Sequence, residues 1–506
     1  MGKILAATAT TTTTPATALD ATACYAALRT HDTRFDGRFF VGVSSTGIYC
    51  RPICRVKIPL AKNCSFFTSA AAAEAAGFRP CLKCRPELAP GHSPADGMRR
   101  IARKAAAMLD DDCIADNTGE GMSALAAALG ITDRHLRRVF AEEFGVSPVQ
   151  YVLTRKLLLA KSLLTDTRLS ITGVAMTAGF GSIRRFNDTF KKRYALSPGA
   201  LRKTIQEPQP ANDGITVHLD YRPPYDWEKI ITFLAARAIA GVEHINETAY
   251  RRTVRIAGKK TCEGWVSVGP GAKKNSFAIT VSASLLPVLP KVLIHVRNLF
   301  DINCDPGEIY EQLSVMNTIK PNLCVPGIRV PGCFDPFEMA VRAVLGQLIT
   351  VKAARTLTTR LAGLGKKITT PFDDLFVIFP DPQQICALAP SIEPTLGALG
   401  IPRAKSRSIL ALAEALVNNS IHLSAGSNPE AEMKKLLALP GFGEWTVQYI
   451  GMRALHWPDA FPHTDYGIKK ALAGMNTKTI LEASQEWSPW RSYAAMNLWN
   501  SSTKGD

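Results

Sequence analysis

Two close pairs of cysteines constrain the fold of this chain more than any other feature of its sequence. Three residues separate Cys50 from Cys54, and two separate Cys81 from Cys84. A further 26 residues lie between the two pairs. Four thiolates in this arrangement suit a tetrahedral Zn²⁺ site. Four independent buried cysteines and an iron–sulfur site are the alternatives that the spacing leaves open.

Basic side chains crowd these cysteines in the sequence: Arg51, Arg55, Lys57, Arg79, Lys83 and Arg85. Nearby cations lower the pKa of a thiol, and they also bind phosphate groups. We therefore expect a zinc-bound thiolate that acts as a nucleophile close to a DNA backbone. A plain zinc-stabilised DNA-binding module is the alternative.

The distribution of charge also points to nucleic acid. The chain has 506 residues and a formal net charge of +17. Residues 1–94 carry 11 basic against 5 acidic side chains, and residues 95–204 carry 18 against 11. Because most of the basic excess lies in this front part, we expect it to bind a polyanion. A generally basic surface is the alternative.

The cysteine content bears on the location of the protein. The sequence has no apolar run long enough to span a bilayer, so no membrane partner is expected. Residues 1–20 are rich in threonine and predict a flexible tail, not a secretory signal. A reducing, cytoplasmic location follows, in which the 12 cysteines act as metal ligands or free thiols and not as disulfides.

The pattern of strands, helices and linkers predicts a multidomain fold. The expected parts are a small α/β zinc domain (21–92), an all-α helix-turn-helix domain (95–204), a linker (205–214), a mixed α/β domain (215–328) and an all-α helix-hairpin-helix domain (329–506).

Two helix-turn-helix units are expected within residues 95–204. In the first, Gly130 forms the turn and Thr132 caps the second helix; in the second, Gly179 lies at the turn. Both units end in Ser-Pro. Side chains expected to reach DNA are Arg134, His135 and Arg138 in the first unit and Arg184 and Arg185 in the second.

The sequence LPGFGEWTVQYIGMRAL (439–455) predicts a helical hairpin. Gly441 and Gly443 would let its backbone approach a phosphate, aided by the following helix N-terminus. Asp465 lies about two dozen residues further on. A simple helix N-cap is the alternative role for this carboxylate.

The segment RFDGRFFVGVSSTGIYCRPICRVK, together with FRPCLKCRPE, resembles the N-terminal domain of Ada-type methylphosphotriester acceptors. The resemblance covers roughly residues 25–90. It implies that Cys50 is both a zinc ligand and the acceptor of a methyl group from a methylated DNA backbone. Methylating one thiolate removes one negative charge facing the phosphates and relieves repulsion. The reaction consumes the protein.

The paired helix-turn-helix units resemble the DNA-binding module of AraC-type regulators. This resemblance implies binding to a promoter operator and transcription activation, with RNA polymerase as a partner.

The last part of the chain resembles AlkA-type 3-methyladenine DNA glycosylases. The matching segments are YRPPYDW, FLAARA, VPGCFDPFEMAVRAVLGQL, LPGFGEWT and SPWRSYAAMNLW. The resemblance implies that Asp465 is the catalytic carboxylate and that the substrate is an alkylated base in duplex DNA. By position it assigns the base pocket to Trp445, Tyr449, Trp499 and Phe233, and the wedge that fills the gap of a flipped base to Leu348. Core packing is the alternative for each of these residues.

The resemblance also specifies the chemistry. Trp445 occupies the position at which lyase-capable relatives have a lysine, so we expect a monofunctional glycosylase. In this family a monovalent cation binds hairpin carbonyls, which here would be Leu437, Leu439 and Phe442. Glu444 departs from the usual basic or small residue of the hairpin.

Two further departures from the family patterns restrict the activities that we expect. His463 and Thr464 replace an acidic neighbour of Asp465, and Asp459 is a fallback catalyst that lies too early. The Pro-Cys-His-Arg motif of full-length Ada proteins is absent, so no O6-methylguanine transfer is expected. The sequence thus predicts a fusion of sensor, activator and glycosylase. The rival is a transcription regulator whose C-terminal half binds DNA without catalysis.

Overall fold

A computed structural model describes residues 20–89, 100–111, 119–203, 214–257, 260–424 and 427–502. Almost all of the predicted tail (1–20) and linker (205–214) lies outside these ranges. Asp20 caps the first helix, and Gly214 begins a strand.

Residues 20–89, called the cysteine region below, form a small sheet with two helices. Its elements are α1 (Ala21–Thr30), β1 (Phe40–Val43), β2 (Ile48–Cys50), β3 (Cys64–Phe67), α2 (Ala70–Ala75) and β4 (Arg79–Pro80). The strand order is β3-β1-β2-β4. β1 is antiparallel to β2 and β3, whereas β2 and β4 are parallel. This topology brings the end of β2 beside the segment that follows β4, so the two cysteine pairs meet.

Residues 100–203 form the helix-turn-helix region. It contains α3 (Arg100–Asp111), α4 (Gly119–Ala128), α5 (Asp133–Phe144), α6 (Pro148–Asp166), α7 (Ile171–Thr177), α8 (Ile183–Tyr194) and α9 (Pro198–Lys203). The side chains of Thr132 and Ser182 cap α5 and α8 by accepting backbone N–H groups. Gly130 (φ 69°) and Gly179 (φ 81°) occupy the left-handed region at the two turns.

Residues 214–328 form the sheet region. Its elements are β5 (Gly214–Asp220), α10 (Trp227–Ala235), β6 (Glu243–Ile245), β7 (Tyr250–Ile256), β8 (Cys262–Pro270), β9 (Ser276–Ser282), α11 (Leu289–Leu299) and α12 (Pro306–Leu313). The order β5-β9-β8-β7-β6 is antiparallel throughout. Alternating apolar residues, as in SFAITVS of β9, bury one face of this sheet.

The described residues from 329 to 502 are mainly helical. The helices are α13 (Pro336–Leu345), α14 (Val351–Ala362), α15 (Pro382–Cys386), α16 (Ile392–Ala398), α17 (Arg403–Val417), α18 (Pro429–Leu437), α19 (Glu444–Arg453), α20 (Tyr466–Ala471), α21 (Thr477–Ala483) and α22 (Arg491–Ser502). In the described parts of the chain, no helix combines the length and apolar character that a membrane crossing demands.

Two hydrophobic cores organise the back half. One joins the sheet region to the last helices, and it also includes helix-turn-helix residues such as Leu157 and Phe190. The other packs α13, α17 and α19 together through Val341, Leu412 and Ile450. Trp457 packs against both cores. The two halves of the chain are therefore continuous through one core. The predicted multidomain architecture is confirmed.

The cysteine region contacts both of its neighbours through ion pairs. Glu87 pairs with Lys161 of α6 at 2.6 Å, with both side chains almost completely buried. Arg38 pairs with Asp305, at the start of α12, also at 2.6 Å. The Glu87–Lys161 pair is buried and requires a fixed geometry, whereas the Arg38 side chain is partly exposed; the two contacts join the cysteine region to the other two regions.

Candidate functional site

The four predicted metal ligands lie together. The Sγ atoms of Cys50, Cys54, Cys81 and Cys84 lie within 4.8 Å of one another, and all four residues are buried. Ligands at the Zn–S distance of about 2.3 Å would be about 3.8 Å apart in a tetrahedron. The four thiols therefore fit Zn²⁺ in number, type and spacing.

Backbone donors orient two of these sulfurs. The amide of Arg51 donates to Sγ of Cys84, and the amide of Lys83 donates to Sγ of Cys81, both at 3.4 Å. Such bonds hold the two sulfurs in position. The tight turns of both cysteine pairs thus serve the metal site directly.

Arg51 differs from its expected role. Its guanidinium is 0% exposed and is bound by Asp36 and by Asp220 of β5. The expectation that this cation is available to a phosphate is wrong, because two carboxylates neutralise it. Arg85 is likewise engaged with Asp166 at 2.6 Å.

Tyr49, the residue before Cys50, connects to the helix-turn-helix region through Glu74. The Tyr49 hydroxyl donates to Oε1 of buried Glu74 at 3.0 Å. Tyr194 of α8 and Thr154 of α6 donate to the same carboxylate. Burial raises the pKa of Glu74 to about 7, against the opposing effect of Arg193. Cys50 therefore lies between a contact to the helix-turn-helix region and a contact to the sheet region.

The helix-turn-helix region presents its predicted cations to solvent. Arg134 and Arg138 on α5, and Arg184 and Arg185 on α8, are exposed. His135 is half-buried, and its Nδ1 lies 3.1 Å from Nη2 of Arg138. Helices α5 and α8 therefore each offer cationic side chains near the N-terminus, on the surface opposite the core.

Asp465 caps α20 by accepting the backbone N–H groups of Gly467 and Ile468 through Oδ1. The indole Nε1 of Trp445 donates to Oδ2 at 2.8 Å, and that of Trp499 donates to Oδ1 at 2.9 Å. The N-cap role and the functional role suggested for this carboxylate are thus compatible. Four donors fix its orientation.

The predicted aromatic residues surround this carboxylate. Trp445 stacks on Tyr449 at 5.3 Å between ring centroids, and Trp499 stacks on Phe233 at 6.3 Å. The rings come from α10, α19 and α22. Phe233 and Trp499 pack in or against one core, and Tyr449 packs against the other. The pocket therefore lies where the two cores meet.

Two arginines of this pocket, Arg237 and Arg453, were not predicted from the sequence. Arg237 covers the face of Phe233 at 3.7 Å, and Arg453 donates to the Tyr449 hydroxyl at 2.8 Å. Burial favours the neutral phenol, but the guanidinium groups, chiefly those of Arg453 and Arg237, outweigh it and lower the pKa of Tyr449. Both arginines follow a predicted aromatic residue by four positions, which was the available signal.

The predicted wedge and hairpin face outwards. Leu348 is 104% exposed and has φ 59°, in the loop between α13 and α14. Gly441 has φ 78°, and a Cβ there would lie 2.2 Å from Oγ of Ser408. A Cβ at Gly443 would meet open space. Gly441 is therefore required by the turn, whereas Gly443 leaves room in front of α19.

Comparison with known proteins divides the chain into the same regions as the structure. The family models described as "Metal binding domain of Ada", "Helix-turn-helix domain" and "AlkA N-terminal domain" match residues 23–87, 125–204 and 216–335. The probable bifunctional transcriptional activator/DNA repair enzyme AlkA of Mycobacterium tuberculosis is 37% identical over 486 residues, covering 94% of this chain and 95% of that protein. The chain belongs to the family of AlkA-type bifunctional transcriptional activator/DNA repair enzymes.

Relatives of the separate halves agree with this membership. DNA-3-methyladenine glycosylase 2 of Escherichia coli is 35% identical and covers 56% of this chain and 95% of that protein. The bifunctional transcriptional activator/DNA repair enzyme Ada of Escherichia coli is 37% identical, covering 23% of this chain and 31% of that protein. The predicted fusion of Ada-type and AlkA-type parts is confirmed.

Two departures from the family pattern, Glu444 and His463, lie close together in the structure. Oε2 of Glu444 lies 3.9 Å from Nε2 of His463, so the unusual acidic residue of the hairpin faces the unusual histidine before Asp465. Asp459, the fallback catalyst, pairs with Arg491 at 2.7 Å and is thereby engaged elsewhere. Among the carboxylates of Glu444, Asp459 and Asp465, only that of Asp465 accepts hydrogen bonds from the indoles of Trp445 and Trp499.

The hairpin carbonyls suggested for a monovalent cation lie at the end of α18 and in the following turn. The carbonyl of Leu439 accepts the amide of Phe442 at 3.3 Å. Leu437 is the last residue of α18. The three carbonyl groups therefore belong to one short segment beside Gly441.

Proposed function

We propose that this chain joins two responses to DNA alkylation. The front half takes a methyl group from a DNA methylphosphotriester onto Cys50 and activates transcription. The back half hydrolyses the N-glycosidic bond of alkylated bases of the 3-methyladenine class. Family membership and the separate matches to Ada-type and AlkA-type proteins support this proposal.

The acceptor step needs one thiolate and a nearby triester. The Cys50 sulfur forms a bond to the methyl carbon as the bond from that carbon to phosphate oxygen breaks. The products are a thioether and a phosphodiester anion. Bound zinc would keep the four thiols deprotonated. The thioether is a poor leaving group, so each molecule reacts once, and the cluster loses one negative charge.

The excision step is carried by a single observation, the Asp465 carboxylate held by Trp445 and Trp499. As the base departs, positive charge develops on the sugar, and a fixed carboxylate stabilises it. The base leaves with the bonding electrons, water adds to the sugar carbon, and the proton that this water loses passes to solvent. The flipped base stacks on the aromatic rings. Trp445 provides no amine, so an abasic site is the product.

Duplex DNA is the proposed partner of each part. Arg134, His135 and Arg138, with Arg184 and Arg185, would contact an operator, whereas Gly441 and Gly443 would contact the backbone near a lesion. We further propose RNA polymerase as the partner in activation, a cytoplasmic location and a monovalent cation at the hairpin. The family name of the activator supports the first of these, and the lack of disulfides among the cysteines of the described residues supports the second.

Base release from methylated duplex DNA tests the glycosylase. Wild-type protein is expected to release alkylated bases, and Asp465→Asn to do so at least about 100-fold more slowly, because the developing charge loses its counter-ion. Asp459→Asn is the matched control, since it removes a carboxylate that is paired with Arg491. No base release by the wild type would favour the non-catalytic rival, whereas equal release by wild type and Asp465→Asn would mean that Asp465 is not the catalytic carboxylate.

Mass spectrometry after incubation with methylphosphotriester DNA tests the acceptor. We expect one methyl group on the peptide that contains Cys50. Cys64→Ala is the matched control, because Cys64 lies on β3 outside the four-cysteine cluster and should leave transfer unchanged. An unmodified Cys50 peptide would favour a plain zinc-stabilised DNA-binding module.

A further inference from the structure

The loop that carries Leu348 is held in an unusual conformation. A leucine at φ 59° lies in the left-handed region, which costs roughly 1–2 kcal/mol for such a residue. Its side chain is completely exposed and gains nothing from packing. The conformation therefore persists because the surrounding residues hold the loop.

Both sides of the loop are fastened. The Lys405 ammonium donates to the carbonyls of Leu345 and Gln347, at 2.8 and 3.0 Å. On the other side, Thr350 caps α14 by accepting the amide of Ala353. The chain can therefore bend outwards at Leu348 without releasing either helix.

The Gln347 side chain ties this loop to the hairpin. Its Nε2 donates to the carbonyl of Gly441 at 2.9 Å and to Oγ1 of Thr446 at 2.8 Å. A carbonyl only accepts, so the amide nitrogen must face Gly441. Both N–H groups of one amide are thus used, one on the hairpin turn and one on α19.

Thr446 directly follows Trp445, whose indole donates to Asp465. The path from Leu348 to the carboxylate therefore runs through a single side-chain amide and one short segment of α19. We propose that Gln347 is a positioning residue for base extrusion, which fixes Leu348 relative to Asp465 so that the nucleotide displaced by the leucine reaches this carboxylate. This inference rests on the glycosylase function proposed above.

The variant Gln347→Ala removes the bridge, and Gln347→Glu keeps its shape without the two donors. Both are expected to excise bases about 10–100-fold more slowly, because small displacements of reacting groups cost rates of this size. The fluorescence of 2-aminopurine next to the lesion, which reports extrusion, should fall in parallel. Affinity for undamaged duplex should be unchanged, since the hairpin backbone is retained.

Gln312→Ala is the matched control. Its Nε2 also bridges two distant segments, to the carbonyl of Glu486 at 3.0 Å, but outside the pocket. Excision and extrusion should equal those of wild type. A merely structural role of Gln347 would lower thermal stability in both variants and leave the extrusion signal intact.

A double-mutant cycle with Leu348→Ala decides whether Gln347 acts through the leucine. If it does, adding Gln347→Ala to Leu348→Ala slows excision little further. Additive effects, or wild-type extrusion by Gln347→Ala, would overturn the inference. Wild-type protein that releases no base at all would instead overturn the proposed glycosylase function.

Discussion

The cysteine cluster and the Asp465 pocket are built in different ways. The cluster forms from four residues close in sequence, but its surroundings come from all over the molecule. Arg51 pairs with Asp220 of the sheet region, and Tyr49 shares Glu74 with residues of α6 and α8. The four donors to Asp465, in contrast, all come from one stretch of the chain, residues 445–499.

This difference separates two kinds of chemistry. A site that reacts once and then changes state needs contacts through which the rest of the molecule is affected. A site that turns over needs a carboxylate that stays in one orientation through every cycle. The neighbours of Cys50 contact other regions of the molecule, as the first requirement demands. Asp465 is held by uncharged donors from one stretch of the chain, as the second demands.

Loss of a zinc ligand should separate the two sites most strongly. Cys81→Ala is expected to abolish zinc retention and methyl transfer, because three thiolates no longer close a tetrahedral site. Base release should continue at the wild-type rate. Zinc content and both activities measured on one preparation check this, with Cys64→Ala as control. A parallel loss of base release would show that the cysteine cluster and the Asp465 pocket do not act independently.

The next largest effect concerns Glu74. Its pKa is raised from 4.5 to about 7, so the folded state holds a proton that the unfolded state releases. This contribution to stability is complete below about pH 4.5 and is lost as the pH rises through 7, by about 3 kcal/mol in all. Glu74→Gln should remove this slope.

Hydrogen exchange of α2 between about pH 5 and pH 8 measures this dependence in the cysteine region. Glu142→Gln is the control, since Glu142 is an exposed carboxylate that pairs with Arg138 on the surface of α5. An identical pH slope in Glu74→Gln and wild type would contradict the assignment. Base release is expected to be indifferent to the substitution.

Asp220→Asn tests the contact with the sheet region. The carboxylate accepts from Arg51 at 2.6 Å and from Lys273 at 2.7 Å, and it is buried. Its neutralisation should cost about 2 kcal/mol, the scale of a hydrogen bond to a charged group. Urea unfolding of the full chain measures this. Asp374→Asn, at an exposed pair with His244, should cost much less. Equal stabilities would mean that the contact contributes nothing.

The smallest expected effect is in the pocket. Trp445→Phe keeps a ring but removes one donor to Asp465, so excision should slow about 10-fold, equivalent to about 1.4 kcal/mol. Methyl transfer should not change. Trp227→Phe is the matched control, because that indole donates to the carbonyl of Glu247 away from the pocket. A wild-type rate in Trp445→Phe would show that the remaining donors, Trp499, Gly467 and Ile468, are enough to hold the carboxylate.

Features set by neighbouring residues were predictable from the sequence. The cysteine spacing predicted the cluster, and Thr132 and the turn glycines predicted the start of α5 and the turns. These signals are local, since a cap or a metal pair acts over a few residues. The resemblance to known families supplied the pocket aromatics, which come from separate helices.

Contacts between distant segments were not predictable in this way. Nothing near Arg51 in the sequence indicates Asp220, which lies in β5 more than a hundred residues later. The same holds for Gln347, whose partners Gly441 and Thr446 are brought to it by the packing of α13 against α19. Such partners depend on the tertiary arrangement and leave no periodic pattern in the chain.

The short strand β2 has a further consequence through its register. Val41 lies opposite Cys50, and Gly42 lies opposite Tyr49. Successive side chains of a strand point to opposite faces, so a slip by one residue would exchange the two. The sulfur would then face the helix-turn-helix side, and the phenol would face the other cysteines. The pairing of three residues in β2 with β1 thus decides which side chain is a metal ligand and which one contacts the neighbouring region.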